Sequence, residues 1–156
     1  MVQVNEIARA LTLDAANTLI RTLKAMPQEK IEWKPQEHGR CALEQIVECG
    51  RTNMLVAQIL NEHGMPPLDP EDIRQAHMRY DSLPKAIAAL KDGTQSLLDA
   101  IESFSDRYLN DEVTMPFGGG TTKKYYEIMF MPYWNMTYHL GQINYIQTLY
   151  GDKEMH

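Results

Sequence analysis

The sequence predicts an all-α protein, a four-helix bundle with long crossover connections, and three observations lead there. Apolar residues recur every three to four positions in four long segments. The connections between those segments run to about a dozen residues or more, too long for simple antiparallel turns. Period-two alternation never extends far enough to read as a sheet. With 156 residues, 44% of them hydrophobic, and no extended Pro, Gly or Ser linker, the chain is expected to form one domain over 1–156. A domain near this size buries roughly 70% of its unfolded surface, so neither a disulfide nor a structural metal is required.

Val4, Ile7, Leu11, Ala15, Leu19, Leu23 and Met26 have helical spacing and Pro27 ends the pattern, which predicts a first helix over about 4–25. Gln28 to Arg40, with Trp33, Pro35 and Gly39, reads as an ordered crossing loop. The second helix is expected over about 42–62, closed by Gly64 in the left-handed conformation, with Pro66-Pro67 beyond. Residues 65–82 form another long connection, with a short helical piece after Asp69-Pro70-Glu71. Asp81 or Ser82 caps a third helix over about 83–105, with Pro84 in its first turn and Ile87, Leu90, Leu97, Leu98 and Ile101 on its inner face. The extended stretch Val113-Thr114-Met115-Pro116-Phe117-Gly118-Gly119-Gly120 precedes a fourth helix over about 121–150, expected to start at a Thr cap. These glycines lack the Walker spacing and follow no parallel strand, so they do not predict a phosphate loop.

A formal charge of −6 and a pI near 5.3 disfavour nucleic acid as a partner, because phosphate neutralisation needs a concentrated basic face. No run approaches the ~20 apolar residues of a membrane span and the N-terminus has no signal pattern, so no membrane association and a cytoplasmic location are expected. Cys41 and Cys49 lie about 12 Å apart along one helix, which predicts two buried free thiols and no disulfide between them.

The fourth helix carries the most informative pattern. At 100° per residue, with Asn135 at zero, His139 falls near 40°, Gln142 near 340°, Ile146 near 20°, Leu149 near 320° and Ile128 near 20°. The apolar members make this the core-facing stripe, and Asn135, His139 and Gln142 form a polar island on it. Pro132, one turn earlier, predicts a kink. Buried polar groups without partners cost on the order of 1–3 kcal/mol each. The island therefore implies either a satisfied hydrogen-bond network or a metal or ligand site built on an i, i+4 donor pair. Di-iron Glu-x-x-His pairs and the zinc-protease His-Glu-x-x-His motif are both absent, and His38 and His63 are expected at the solvated surface.

Tyr138-His139-Leu140-Gly141-Gln142-Ile143-Asn144-Tyr145-Ile146 and Leu149-Tyr150-Gly151-Asp152 resemble the C-terminal signature of the DinB-like superfamily of bacterial proteins. Met115-Pro116-Phe117-Gly118 and Gly39-Arg40-Cys41-Ala42-Leu43-Glu44 resemble further segments of it. The resemblance implies a four-helix bundle, usually a homodimer, with one metal held by three histidines, one on the second helix and two at i, i+4 on the fourth. It also implies metal-dependent hydrolase chemistry or transfer to a low-molecular-weight thiol. Two of the three positions differ in this chain. His139 matches the last ligand, Asn135 stands at its i−4 partner, and Glu48 stands at the second-helix position.

The altered metal set is therefore Glu48, Asn135 and His139, expected to hold one divalent ion, Zn²⁺ or Ni²⁺, weakly or not at all, since an Asn amide is a poor donor. Glu48 shares a stripe with Cys41, Leu55 and Ile59, at the border of the core, and reads either as inward-pointing or as a surface carboxylate beside Arg51. A Glu48–His139 ion pair in place of a metal is the alternative. Two functions follow: a metal-dependent enzyme acting on a thiol or water, or a metal-free descendant that binds a small molecule or serves as an oligomerisation unit. The aromatic residues of the fourth helix read as core, as a cavity lining or as a dimer face. A second apolar stripe on the second helix, Leu43, Val47, Gly50, Met54 and Ala57, predicts cover on a second side and adds to the homodimer expectation.

Overall fold

In the computed structural model, which describes residues 2–154 and 156 and only the backbone at 73 and 77, the helices are α1 (Val4–Ala25), α2 (Ala42–Glu62), α3 (Pro70–Arg79), α4 (Leu83–Ser103) and α5 (Tyr125–Leu149). The short α3 fills part of the second long connection. The four long helices form a bundle in which α1 packs against α4 and α5, and α2 packs against the same two. Helices α1 and α2 therefore lie on one diagonal, and α4 and α5 on the other. The connections 26–41 and 104–124 each cross a diagonal, which is why neither is a tight turn.

Local chemistry fixes the helix starts. A Glu three residues into α1, α2 and α5 accepts the backbone N–H of the residue before the helix: Glu6 from Gln3 at 3.1 Å, Glu44 from Cys41 at 3.2 Å and Glu127 from Lys124 at 2.9 Å. Ser82 is the residue before α4, with Pro84 in its first turn. Helix α5 begins at Tyr125, four residues later than expected and without a Thr cap, because Thr122–Lys124 pair as a strand (β2) with Glu112–Thr114 (β1) in a small antiparallel hairpin. At the end of α2 the left-handed position falls on His63 (φ 51°), not Gly64. The His63 N–H bonds the Ile59 carbonyl, and its ring packs on Phe104 and Tyr108, contacts that offset the steric cost of a side chain there. His63 is thus a surface residue, but one engaged by an aromatic cluster.

Two apolar clusters fill the bundle, one around Leu19, Leu23, Ile46, Leu90 and Ile143 and one around Ile59, Leu97, Ile101, Ile128 and Met129. Each such side chain, fully buried, contributes roughly 1.5–3 kcal/mol of transfer free energy. Helices α2 and α4 meet through glycine. A Cβ on Gly93 would stand 2.6 Å from the Gly50 carbonyl oxygen, so only hydrogen permits this crossing. That contact corrects the expectation for the second stripe of α2. Val47, Gly50 and Ala57 are buried against α4 of the same chain, and of the stripe only Met54 is well exposed, so the stripe gives no argument for a dimer.

The buried arc of α5 also differs from the expected one. Tyr125, Met129, Pro132, Met136, His139, Ile143 and Ile146 are all buried, and their mean direction lies about 70° round from Asn135 at 100° per residue. His139 lies well inside this arc at 1% exposure. Asn135 and Gln142 stand at its edge, and Leu149, expected in the core, lies outside it at 46% exposure. Helix α5 runs through Pro132 without a break. Among the described residues no helix is long and apolar enough to cross a membrane.

Candidate functional site

Helices α2 and α5 pack side by side, and their facing turns bring Glu48, Asn135 and His139 together. Glu48 points inward, as one of its two expected orientations required. Its Oε1 accepts from His139 Nε2 at 3.0 Å and from Asn135 Nδ2 at 3.3 Å. Its Oε2 is held by Arg40 Nη2 at 2.7 Å. The other ring nitrogen of His139, Nδ1, faces the side-chain carbonyls of Gln45 at 3.0 Å and Gln142 at 3.3 Å. The amide nitrogen of Gln45 turns back to the carbonyl of Arg40 at 3.4 Å. Six side chains thus form one connected polar unit around a buried imidazole.

Burial pushes the Glu48 carboxyl up, but hydrogen bonds from His139 and Arg40, with the adjacent positive charge, outweigh it and hold Glu48 below the usual carboxylate range. The nearby thiols behave oppositely. Burial raises both Cys41 and Cys49, which disfavours the thiolate at each. Both are free and buried, eight residues apart on α2 and its cap.

A divalent ion does not fit this donor set. A carboxylate oxygen only accepts, so the amide face that Asn135 turns to Glu48 is its NH₂, a donor and not a ligand. The Asn135 Oδ1 is buried without a hydrogen-bond partner. Both Glu48 oxygens are already occupied, one of them by a guanidinium whose charge opposes a cation at the same carboxylate. Among the described residues, no three His, Cys, Asp or Glu side chains stand together in a metal-holding arrangement.

Two depressions flank the polar unit. The larger, about 730 Å³, lies between α2, α3, α5 and the hairpin tip. Glu48 and Asn135 line it together with Trp134, Tyr80, Phe117 and Arg51. The smaller, about 460 Å³, is lined by Arg40, Gln45, Gln142, Tyr138 and Tyr145. Trp134 and Tyr138 stack on the outer face of α5 with ring centroids 5.5 Å apart and an interplanar angle of 12°. The aromatic residues of α5 therefore divide. Tyr125 is core, while Trp134, Tyr138 and Tyr145 are exposed by 66%, 51% and 65%. Sequence reasoning missed Arg40 and Gln45. The spacing Arg40–Glu44–Glu48, one turn between successive members, was the available signal.

The family model described as the DinB superfamily matches residues 11–143. No curated protein matches the chain. Among solved structures, YfiT from Bacillus subtilis, described as a probable metal-dependent hydrolase with an unusual four-helix bundle topology, superposes with a TM-score of 0.78 at 10% identity, over 94% of this chain and 87% of that one. A DinB-like protein (YjoA), also from Bacillus subtilis, gives 0.69 at 13% identity over 96% and 95%. A mycothiol-dependent maleylpyruvate isomerase gives 0.69 at 13% identity, covering 92% of this chain, which spans only 63% of the isomerase. At such identities these likenesses establish the fold.

Proposed function

The chain belongs to the DinB superfamily, and from that premise we propose that it is a metal-free member whose cleft binds a small molecule. One observation carries this reading: both oxygens of Glu48 are filled by side-chain donors of the chain itself. The carboxylate and imidazole that would hold an ion are hydrogen-bonded to each other, and the carboxylate is also paired with Arg40. The cleft beside them lies within the roughly 300–1,000 Å³ of ordinary ligand sites and joins aromatic walls to a few fixed polar groups. Trp134 and Phe117 offer faces for stacking, Arg51 offers charge, and Glu48 and Asn135 offer hydrogen-bonding groups that orient a ligand.

The alternative, a hydrolase or thiol transferase in which Glu48, Asn135 and His139 hold Zn²⁺ or Ni²⁺, takes its support from the descriptions of YfiT and the isomerase. The occupied Glu48 oxygens weigh against it. A homodimer belongs to the same proposal, with the exposed Trp134, Tyr138 and Tyr145 face of α5 as the surface a second copy would cover.

Thermal-shift screening of tag-free protein against small acids and low-molecular-weight thiols, with chelator or with added Zn²⁺ or Ni²⁺, tests the reading. A ligand at a hundred times its Kd stabilises by about 2.7 kcal/mol, a shift of several degrees. The expected shift persists in chelator. Stabilisation that requires added metal, or tight uptake of one equivalent by the wild-type protein, would refute the metal-free reading.

A further inference from the structure

We infer that Arg40 is the built-in cation of this site: its guanidinium takes up the charge of Glu48 that would otherwise attract a divalent ion, and so keeps the α2–α5 cluster free of metal. The inference rests on the metal-free reading above and identifies the residue that enforces it.

Arg40 lies just before α2, and its side chain runs along the first two turns of that helix. Its Nη2 stands 3.4 Å from the Glu44 carbonyl and 2.7 Å from Glu48 Oε2. Its backbone carbonyl accepts from Gln45, whose other amide atom faces His139. Arg40 is therefore tied to the buried imidazole by two routes, through Glu48 and through Gln45. Arginine suits the task because it is always charged, and this exposed side chain is held by its contacts with the Glu44 carbonyl and Glu48.

The rest of the cluster is close to a metal site. Glu48 and His139 are in contact, and position 135 sits one helical turn before His139, facing the same carboxylate. A histidine there would give two imidazoles at i, i+4 plus a carboxylate, a set that binds zinc. Two things separate the chain from that set: the amide at 135 and the guanidinium on Glu48. Of the two, only the guanidinium carries charge, and it lies on an oxygen an ion would need.

The test is Zn²⁺ and Ni²⁺ binding, by chelator competition and metal analysis, in tag-free wild type, Asn135→His, Asn135→His with Arg40→Gln, and Asn135→His with Arg40→Lys. Far-UV circular dichroism and melting verify folding, and Arg40→Ala replaces Arg40→Gln should the latter not fold. The neutralised double variant is expected to take one equivalent, at least about tenfold more tightly than Asn135→His alone, as removal of a unit charge beside a dication requires. The Lys variant keeps the charge and is expected to bind within about threefold of Asn135→His. Equal affinity of Asn135→His and its neutralised partner overturns the role of Arg40 and leaves the metal-free reading standing. So does failure of both to bind while folded. Uptake of one equivalent by wild type overturns both.

Discussion

Replacing Gly93 with alanine tests whether the α2–α4 crossing is as tight as its geometry demands. The added Cβ would stand 2.6 Å from the Gly50 carbonyl oxygen, and that neighbour is backbone, which cannot rotate away. Relief requires the helices to separate by about half an ångström, which loosens the layer containing Val47 and Leu90. Overpacking costs about 1–3 kcal/mol, and a clash with backbone falls in the upper part of that range, about 2–3 kcal/mol. Alanine's better helix propensity returns about 1 kcal/mol, leaving a net loss of about 1–2 kcal/mol. For a domain near this size that corresponds to a melting point lower by about 2–8 °C. Gly141 supplies the control: it is exposed on α5, and a Cβ there meets nothing within 4 Å. Gly141→Ala should gain a few tenths to about 1 kcal/mol. Calorimetric melting and urea unfolding of both variants decide the matter. A Gly93→Ala protein that melts at or above wild type would show that the crossing is not limited by this contact.

Acid sensitivity follows from Glu48. Its carboxyl is held below the unfolded value of 4.5, so its stabilisation is fully present above that pH and is lost as pH falls through the lower folded value. Melting temperature should decline below about pH 4.5 in wild type and decline less steeply in Glu48→Gln; parallel curves would count against the pairing. His139→Ala removes the ring that Gln45, Gln142 and Glu48 share as a partner and opens a void in a site that is 1% exposed. Urea unfolding should show a loss of about 2–4 kcal/mol, and a loss under about 1 kcal/mol would contradict a connected network. Sedimentation should show a dimer at micromolar concentration that weakens on Trp134→Glu; a wild-type monomer there removes the α5 face as an interface.

The bundle was legible because burial imposes a 3.6-residue period, which survives in Leu90, Leu97 and Ile101 whatever the details of packing. The inward direction of His139 was legible for the same reason. The rotation of α5 was not. A stripe read from a few apolar residues cannot tell that Tyr125, Met129 and Met136 would be the inner ones, and so Leu149 was placed in the core. The hairpin escaped because three-residue strands carry too few alternations to separate from loop. Arg40 was missed because it precedes the helix whose face it joins, and Gln45 because a lone glutamine on an apolar face carries no charge to draw notice.

The hydrogen bonds from His139 and Asn135 to α2 join positions 87 to 94 residues apart, whereas Arg40 and Glu48 are near neighbours on the chain. During synthesis at about 5–20 residues per second, the guanidinium and carboxylate emerge together, some 5–20 seconds ahead of the imidazole. His139 arrives later, on α5, so the complete cluster marks a bundle whose α5 has closed onto α2. A nascent chain halted before α5 would carry the pair without its histidine, and protease resistance of the Arg40–Glu48 region would then date the closing of the bundle.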